Sequence, residues 1–255
     1  AKLGVPQTNG VTLTTDGPNR RQAVVFVANS ADQQTLLWHQ MAEVCGARVT
    51  LMQAVGVPSP TPALPQSPAA SPASGSPYTQ GTLIVGDGNF SFSAAVCTLL
   101  GGGQGITATA YDREEDVKSK YPVNCVSQCR AIGAQVHFGL DATQMIRDSR
   151  VNGTQYRFIV FNFPHTDHQQ TSDDAEEVEI SIQANKLLLS SFFMQAKRLV
   201  TPDGEIHVSV KDRMIYRRWE LHKLASERSV RLVRIVPFEG DNFPGYDHVA
   251  TRKGE

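Results

Sequence analysis

The sequence predicts an α/β protein built on a doubly wound, largely parallel, Rossmann-like sheet with an N-terminal β-α-β extension. Three observations carry this. From Gly81 onward, short apolar runs alternate with longer runs of helical period. The first of these, Thr82-Leu83-Ile84-Val85, turns through Gly86-Asp87-Gly88 directly into an apolar helical stretch, as at the opening of a nucleotide-binding unit. Four of the predicted strands end on or next to an acid or an amide, and ligands of doubly wound sheets bind at the carboxyl ends of the strands.

In chain order, residues 1–22 are polar and turn-rich. Residues 23–28 read as a strand. Asp32 then caps a helix to about Cys45, with Leu36, Leu37, Met41 and Val44 near one face, and Gly46 stops it before a strand over 48–55. This unit, residues 1–56, cannot bury both of its faces alone. It is expected to pack on the following domain or on a partner protein. Residues 57–80 form a linker whose prolines, from Pro58 to Pro77, lie among Ser and Ala, a composition that favours extended chain without a core. The main domain covers 81–255. Its strands are expected over 82–85, 106–111, 135–138, 158–161, 205–210 and 231–236, with a last short one near 246–251. Its helices are expected over 93–100, 114–132 (broken near Pro122), 142–148, 178–199 and 216–228.

A length of 255 residues with 40% hydrophobic content supports one full α/β domain and a smaller appendage. A net charge of -1 excludes wholesale electrostatic attraction to nucleic acid. The charge is unevenly placed: Asp167, Asp173, Asp174, Glu176, Glu177 and Glu179 form an acidic run, whereas Lys and Arg concentrate over 211–234. That basic segment is either a solvated face or a face toward an RNA backbone. Cys45, Cys97, Cys125 and Cys129 include no second pair at zinc spacing and read as reduced thiols in a reducing compartment. No run of about 18 apolar residues is present to span a membrane. The chain begins at Ala1 rather than Met, as expected where a presequence has been removed.

The chemistry starts at Asp87. A dinucleotide would place its pyrophosphate at the following helix N-terminus, where a carboxylate repels it. S-adenosylmethionine brings an ammonium and a sulfonium instead, which a carboxylate attracts. Asp112 follows the second strand at the spacing of an acid that holds a ribose hydroxyl pair, and it also suits a helix N-cap. Asp141 ends the third strand, to accept an adenine amino group, to cap the next helix, or both. The fourth strand ends in Phe161-Asn162-Phe163-Pro164-His165. There an amide can pair with a planar base, a proline fixes the loop, and an imidazole can take a proton near neutral pH. Phe163 or Phe90 is a candidate to stack on that base or to serve as core.

The run Val85-Gly86-Asp87-Gly88-Asn89-Phe90-Ser91-Phe92-Ser93 resembles the signature of the ribosomal-RNA uracil-N3 methyltransferase-like family. Tyr111-Asp112, Lys120-Tyr121-Pro122, residues 138–143, Asn162-Phe163-Pro164-His165, Asn185, Lys211, Trp219 and Pro244-Gly245-Tyr246 with His248 extend the likeness from about 81 to 251. The resemblance implies a Rossmann-like, S-adenosylmethionine-dependent enzyme that methylates N3 of a uridine in large-subunit rRNA during ribosome biogenesis. Carried over by position, Gly86, Asp87, Gly88, Asn89 and Phe90 line the methionine end. Asp112 holds the ribose, and Asp141 with Ala142 meets the adenine. Asn162, Pro164 and His165 form the catalytic loop. Lys211, Tyr246 and His248 face RNA at the rim. The implied partner is rRNA or an assembly intermediate, with proteins engaged through the extension and linker, in the nucleolus or the mitochondrion.

The chain also departs from the pattern. Thr166-Asp167-His168 stands where a glycine is usual after Pro164-His165, Val249 replaces a basic residue, and the loop over 166–179 is acidic. Two rivals follow. One is a catalytically inactive, ribosome-bound assembly factor that keeps the fold for contacts. The other is a nicotinamide-dependent oxidoreductase, which leaves residues 162–165 without a task.

Overall fold

The computed structural model describes residues 21–28, 76–166 and 174–249. In chain order these form β1 (Arg21–Ala28), β2 (Thr82–Val85), α1 (Ser91–Leu99), β3 (Ile106–Thr109), α2 (Glu114–Lys120), α3 (Val126–Ala131) and β4 (Gln135–His137). The second half adds β5 (Tyr156–Asn162), α4 (Ala175–Leu199), β6 (Val200–Lys211), α5 (Met214–Arg217), α6 (Leu221–Glu227) and β7 (Val230–Pro237).

All seven strands join one sheet in the order β4-β3-β2-β5-β6-β1-β7. Pairs β2–β3, β3–β4, β2–β5 and β5–β6 are parallel. The chain therefore winds outward from β2 to β4 and restarts at β5 on the other side. This reversal of direction opens a crevice beyond the carboxyl ends of β2 and β5. Side chains alternate across the sheet, so Leu83 and Val85 pack in one apolar layer and Ile84 in the other.

Helix α4 covers the first layer with Ile182, Leu189, Phe192, Phe193, Ala196 and Leu199, a repeat of three and four residues. Its N-cap Asp174 accepts the Glu176 and Glu177 amide protons, with Lys197 and Arg198 in the last turn, matching the helix dipole. Helix α1 carries Phe92, Ala95 and Val96 into the second layer.

Several expectations are corrected. The strand over 23–28 does not belong to a separate extension. It enters the main sheet as β1, antiparallel to both β6 and β7. Val24, Val25 and Phe26 are all buried, and consecutive apolar residues need both sheet faces covered. The other parts expected of that extension, and the linker up to residue 75, lie outside the described residues. Tyr78, assigned to the linker, is buried against Phe92, Phe158 and His207.

The helix expected over 142–148 shrinks to a 3-10 turn at Met145–Arg147, because Asp141 draws the Thr143 amide into its own side-chain turn. The helix expected over 216–228 breaks into α5 and α6 at Glu220, which takes a left-handed conformation (φ 51°). Residues 246–249 form no strand. Their backbone is held by side chains instead: the Asp247 carbonyl accepts Asn89 Nδ2 at 3.2 Å and the Ser91 hydroxyl at 2.9 Å.

Candidate functional site

The crevice holds a cavity of about 580 Å³ lined from the ends of β2, β5 and β6, the loops after β2, β3, β4 and β5, and helix α4. Its first wall is the turn after β2. Gly86 has φ 66°, and a Cβ there would meet the Phe161 ring at 2.9 Å; a Cβ on Gly88 would meet the Tyr121 hydroxyl at 2.9 Å. Only glycine fits this close approach.

Asp87 lines the cavity and also reaches forward to the helix. Its Oδ2 accepts the Ser93 amide at 2.7 Å and the Ser93 hydroxyl at 2.6 Å. The N-cap position of α1, Phe90, offers no side-chain cap, so the acid fills that role. Burial pushes the Asp87 carboxyl above the usual carboxylate range, against the opposing bonds from Ser93. Asn89 is buried and spans the turn, accepting the Ser91 amide while donating to the Asp247 carbonyl. Phe90 corrects the sequence reading. It is fully buried on Phe138, outside the cavity wall, and supports the turn from behind.

Asp112 and Asp141 both line the same cavity. Asp112 is not the N-cap of α2; that position is Arg113. Its Oδ1 instead pairs with Lys120 Nζ at 2.7 Å. Asp141 accepts the Thr143 amide and hydroxyl on Oδ1 and Gln144 Nε2 on Oδ2. Although burial opposes it, these bonds hold its carboxyl below the usual range. With about four acceptor sites on a carboxylate, its capacity beyond this turn is small. Ala142 is buried beside it in the wall.

The adjoining wall is the end of β5, the strand paired with β2. Asn162 Oδ1 accepts the Ser209 hydroxyl at 2.7 Å, and its Nδ2 is buried with no partner. A buried donor without an acceptor is costly, and it lies in the cavity wall. Phe163 takes φ 50°, uncommon for a bulky residue, and packs edge-on against His248 at 4.5 Å. Pro164 is buried. His165 Nδ1 lies 2.9 Å from the Thr166 carbonyl, an acceptor only, so Nδ1 carries the proton and Nε2 is the basic nitrogen of the neutral ring. The ring stands edge-on to buried Trp219. Thr166 is tied in turn by its amide to Asn185 Oδ1 on α4.

At the rim, Lys211, Tyr246 and His248 all line the cavity. The Tyr246 hydroxyl lies 3.0 Å from His248 Nδ1, and burial together with the Asp87 charge pushes its acidity far down. The basic segment is largely committed within the protein: Arg217 pairs with Asp212, Arg218 with Glu179 and Arg234 with Glu205. Burial pushes the Cys97 thiol up to about 11 and Cys129 higher, as for inert core thiols. Among the described residues, no cluster of metal-ligating side chains occurs.

The structure thus brings the predicted site residues to one cavity, except Phe90. The sequence reading missed Ser93, Ser209 and Asn185 as partners of Asp87, Asn162 and the loop after β5. No local signal marks Ser209; the fold sets it beside Asn162 on the neighbouring strand.

The family described as rRNA (uridine-N3-)-methyltransferase BTM5-like matches residues 83–250. An uncharacterized Arabidopsis thaliana protein is 31% identical over 69% of this chain and 83% of its own. Heavy metal-associated isoprenylated plant protein 41 of the same plant is 34% identical over 65% of this chain, which spans 32% of that relative's length. The 25S rRNA (uridine(2634)-N(3))-methyltransferase of Saccharomyces cerevisiae is 23% identical over 66% of this chain and 65% of its own.

Proposed function

The chain belongs to the BMT5-like family of rRNA (uridine-N3-)-methyltransferases, and from that premise we propose that its cavity binds S-adenosylmethionine and methylates N3 of a uridine in large-subunit rRNA. The observation that carries this reading is the pairing of opposite needs in one cavity. An acid after β2 and an unsatisfied amide donor at the end of the neighbouring β5 line the same cavity.

The residues fit the donor. Asp87 already occupies the amides of the α1 N-terminus, where a dinucleotide would seat its pyrophosphate. That argues against the nicotinamide reading and favours a cationic ligand. Asp112, steadied by Lys120, can accept a hydroxyl pair, and Asp141 with Ala142 bounds the adenine side. The donor supplies an electrophilic methyl group; the protein's task is alignment and proton removal. Asn162 Nδ2 donates to a carbonyl of the uracil edge, and Ser209 holds the amide in that orientation. His165 Nε2 takes the N3 proton while Nδ1 stays anchored on Thr166. Pro164 and the Asn185 tether keep the loop in register. The target uridine must leave its stack to reach this depth.

The implied substrate is large-subunit rRNA or an assembly intermediate, in the nucleolus or the mitochondrion. No described helix is long and apolar enough to cross a membrane. Calorimetry with S-adenosylmethionine, followed by transfer of labelled methyl to unmodified large-subunit rRNA, tests the proposal. Binding plus a uridine-N3 product supports it. Binding with no product points to the inactive assembly-factor reading, and no binding removes the cofactor assignment.

A further inference from the structure

We propose that Arg21, the first residue of β1, holds a backbone phosphate of the RNA beside the target uridine; this rests on the methyltransferase reading above. The placement follows from strand direction. Because β1 runs against its neighbours, its first residue sits at the carboxyl end of the sheet, where the cavity opens. Arg21 is registered directly opposite Lys211, which lines that cavity.

Directly opposed residues of an antiparallel pair project to the same face, so Arg21 and Lys211 serve the same side of the sheet. The Arg21 guanidinium lies over the Phe163 ring, 5.4 Å from its centroid. Phe163, the strained residue between Asn162 and Pro164, lines the cavity, so the cation stands beside the part of the cavity assigned to the base. Arginine can stack on a ring and still present its N–H edge to a phosphate. Among the described residues, the neighbouring basic segment spends Arg217, Arg218 and Arg234 on internal carboxylates. Residue 21 lies before the family-matched region, 83–250, and reaches this part of the sheet through β1.

The test uses the full chain with Arg21→Gln and Arg21→Lys, and an unmodified large-subunit rRNA transcript. For Gln, the slope of log affinity for RNA against log salt should fall by about 0.7, the loss of one single-strand phosphate contact. KM for RNA should rise roughly five- to tenfold with kcat kept. S-adenosylmethionine affinity should be unchanged, and Lys should restore the slope. An unaltered slope and KM in Arg21→Gln overturns the inference while leaving the methyltransferase reading intact. So does a lowered melting temperature with donor and RNA affinity falling together, which would make Arg21 a packing residue. A wild-type protein that binds the donor and methylates no RNA overturns both.

Discussion

The two ends of the cavity differ in how completely the protein satisfies its own polar groups. At the end assigned to the donor, Asp87, Asn89, Asp112 and Asp141 all carry hydrogen bonds or ion pairs from nearby side chains or backbone. At the end assigned to the base, Asn162 keeps a buried donor unmet and Phe163 holds a left-handed backbone. The first end is satisfied by folding; the second keeps unmet bonding and strain, which under the proposed function a bound substrate would relieve. If this contrast is functional, variants at the two ends should separate cleanly, one losing donor affinity and the other losing turnover.

The largest effect is expected at His165. Replacement by Ala removes the basic Nε2 and should cut turnover on RNA by about 10²-fold or more, with donor affinity nearly intact by calorimetry. Unchanged turnover would remove the base assignment.

Asp87→Asn probes the opposite end. It keeps an acceptor for Ser93 but deletes the charge, so S-adenosylmethionine affinity should drop on the order of a hundredfold. Stability should hold or rise. Burial raises the folded carboxyl, so the native state binds its proton more tightly than the unfolded chain does. The charged form therefore costs stability, a cost absent below the ordinary value of 3.8 and growing as pH rises through the folded value. For the same reason wild-type donor affinity should fall on acidification at a higher pH than an ordinary Asp would dictate, and Asn should abolish that dependence. An Asn variant with lower stability and full affinity would make Asp87 a helix cap only.

A third test concerns the inserted strand rather than the cavity. Glu205 on β6 binds Arg234 on β7 across β1 and accepts His207 Nε2–H, while the Tyr78 hydroxyl lies 3.3 Å from the other ring nitrogen. Burial works against this carboxylate, yet His207 and Arg234 bring it down from 4.5 to about 2. A depressed acid stabilises the fold above its unfolded value, and that contribution disappears as pH falls from about 4.5 toward 2. Glu205→Gln should therefore cost roughly 2 kcal/mol at neutral pH and little near pH 2, read from denaturant melts. An equal cost at both pH values would show that packing, not charge, locks β1 in place.

The same contrast explains what the sequence disclosed. Local signals served well: the Gly86-Asp87-Gly88 turn, the strand ends at Asp112 and Asn162 and the helical repeat of α4 are each dictated by residues close in the chain. Pairing at a distance was not legible. Nothing in residues 23–28 says that they slot between β6 and β7, because strand periodicity names a face and not a neighbour. The hydroxyls of Ser93 and Ser209 look like ordinary small residues until the fold sets them against Asp87 and Asn162. Glu220 and Phe163 take left-handed backbones that side-chain type does not announce. Local bonding also overrode helical pattern at Asp141, whose preference for its own turn leaves one 3-10 turn.

The smallest expected effect is also the most direct test of the contrast. Asn162→Ala deletes the unmet Nδ2 together with the Oδ1 that Ser209 holds. Losing one hydrogen bond to the uracil edge should lower kcat/KM for RNA about tenfold, with donor affinity within about twofold. Ser209→Ala touches only the orienting contact and should cost less. The competing view makes the unpaired amide a mere packing defect. On that view Asn162→Ala would be more stable than wild type and methylate at the same rate, because removing a buried unsatisfied donor recovers its desolvation cost. Melting and initial-rate measurements on one preparation decide between them: stability gained with activity lost marks a group held unsatisfied for its substrate.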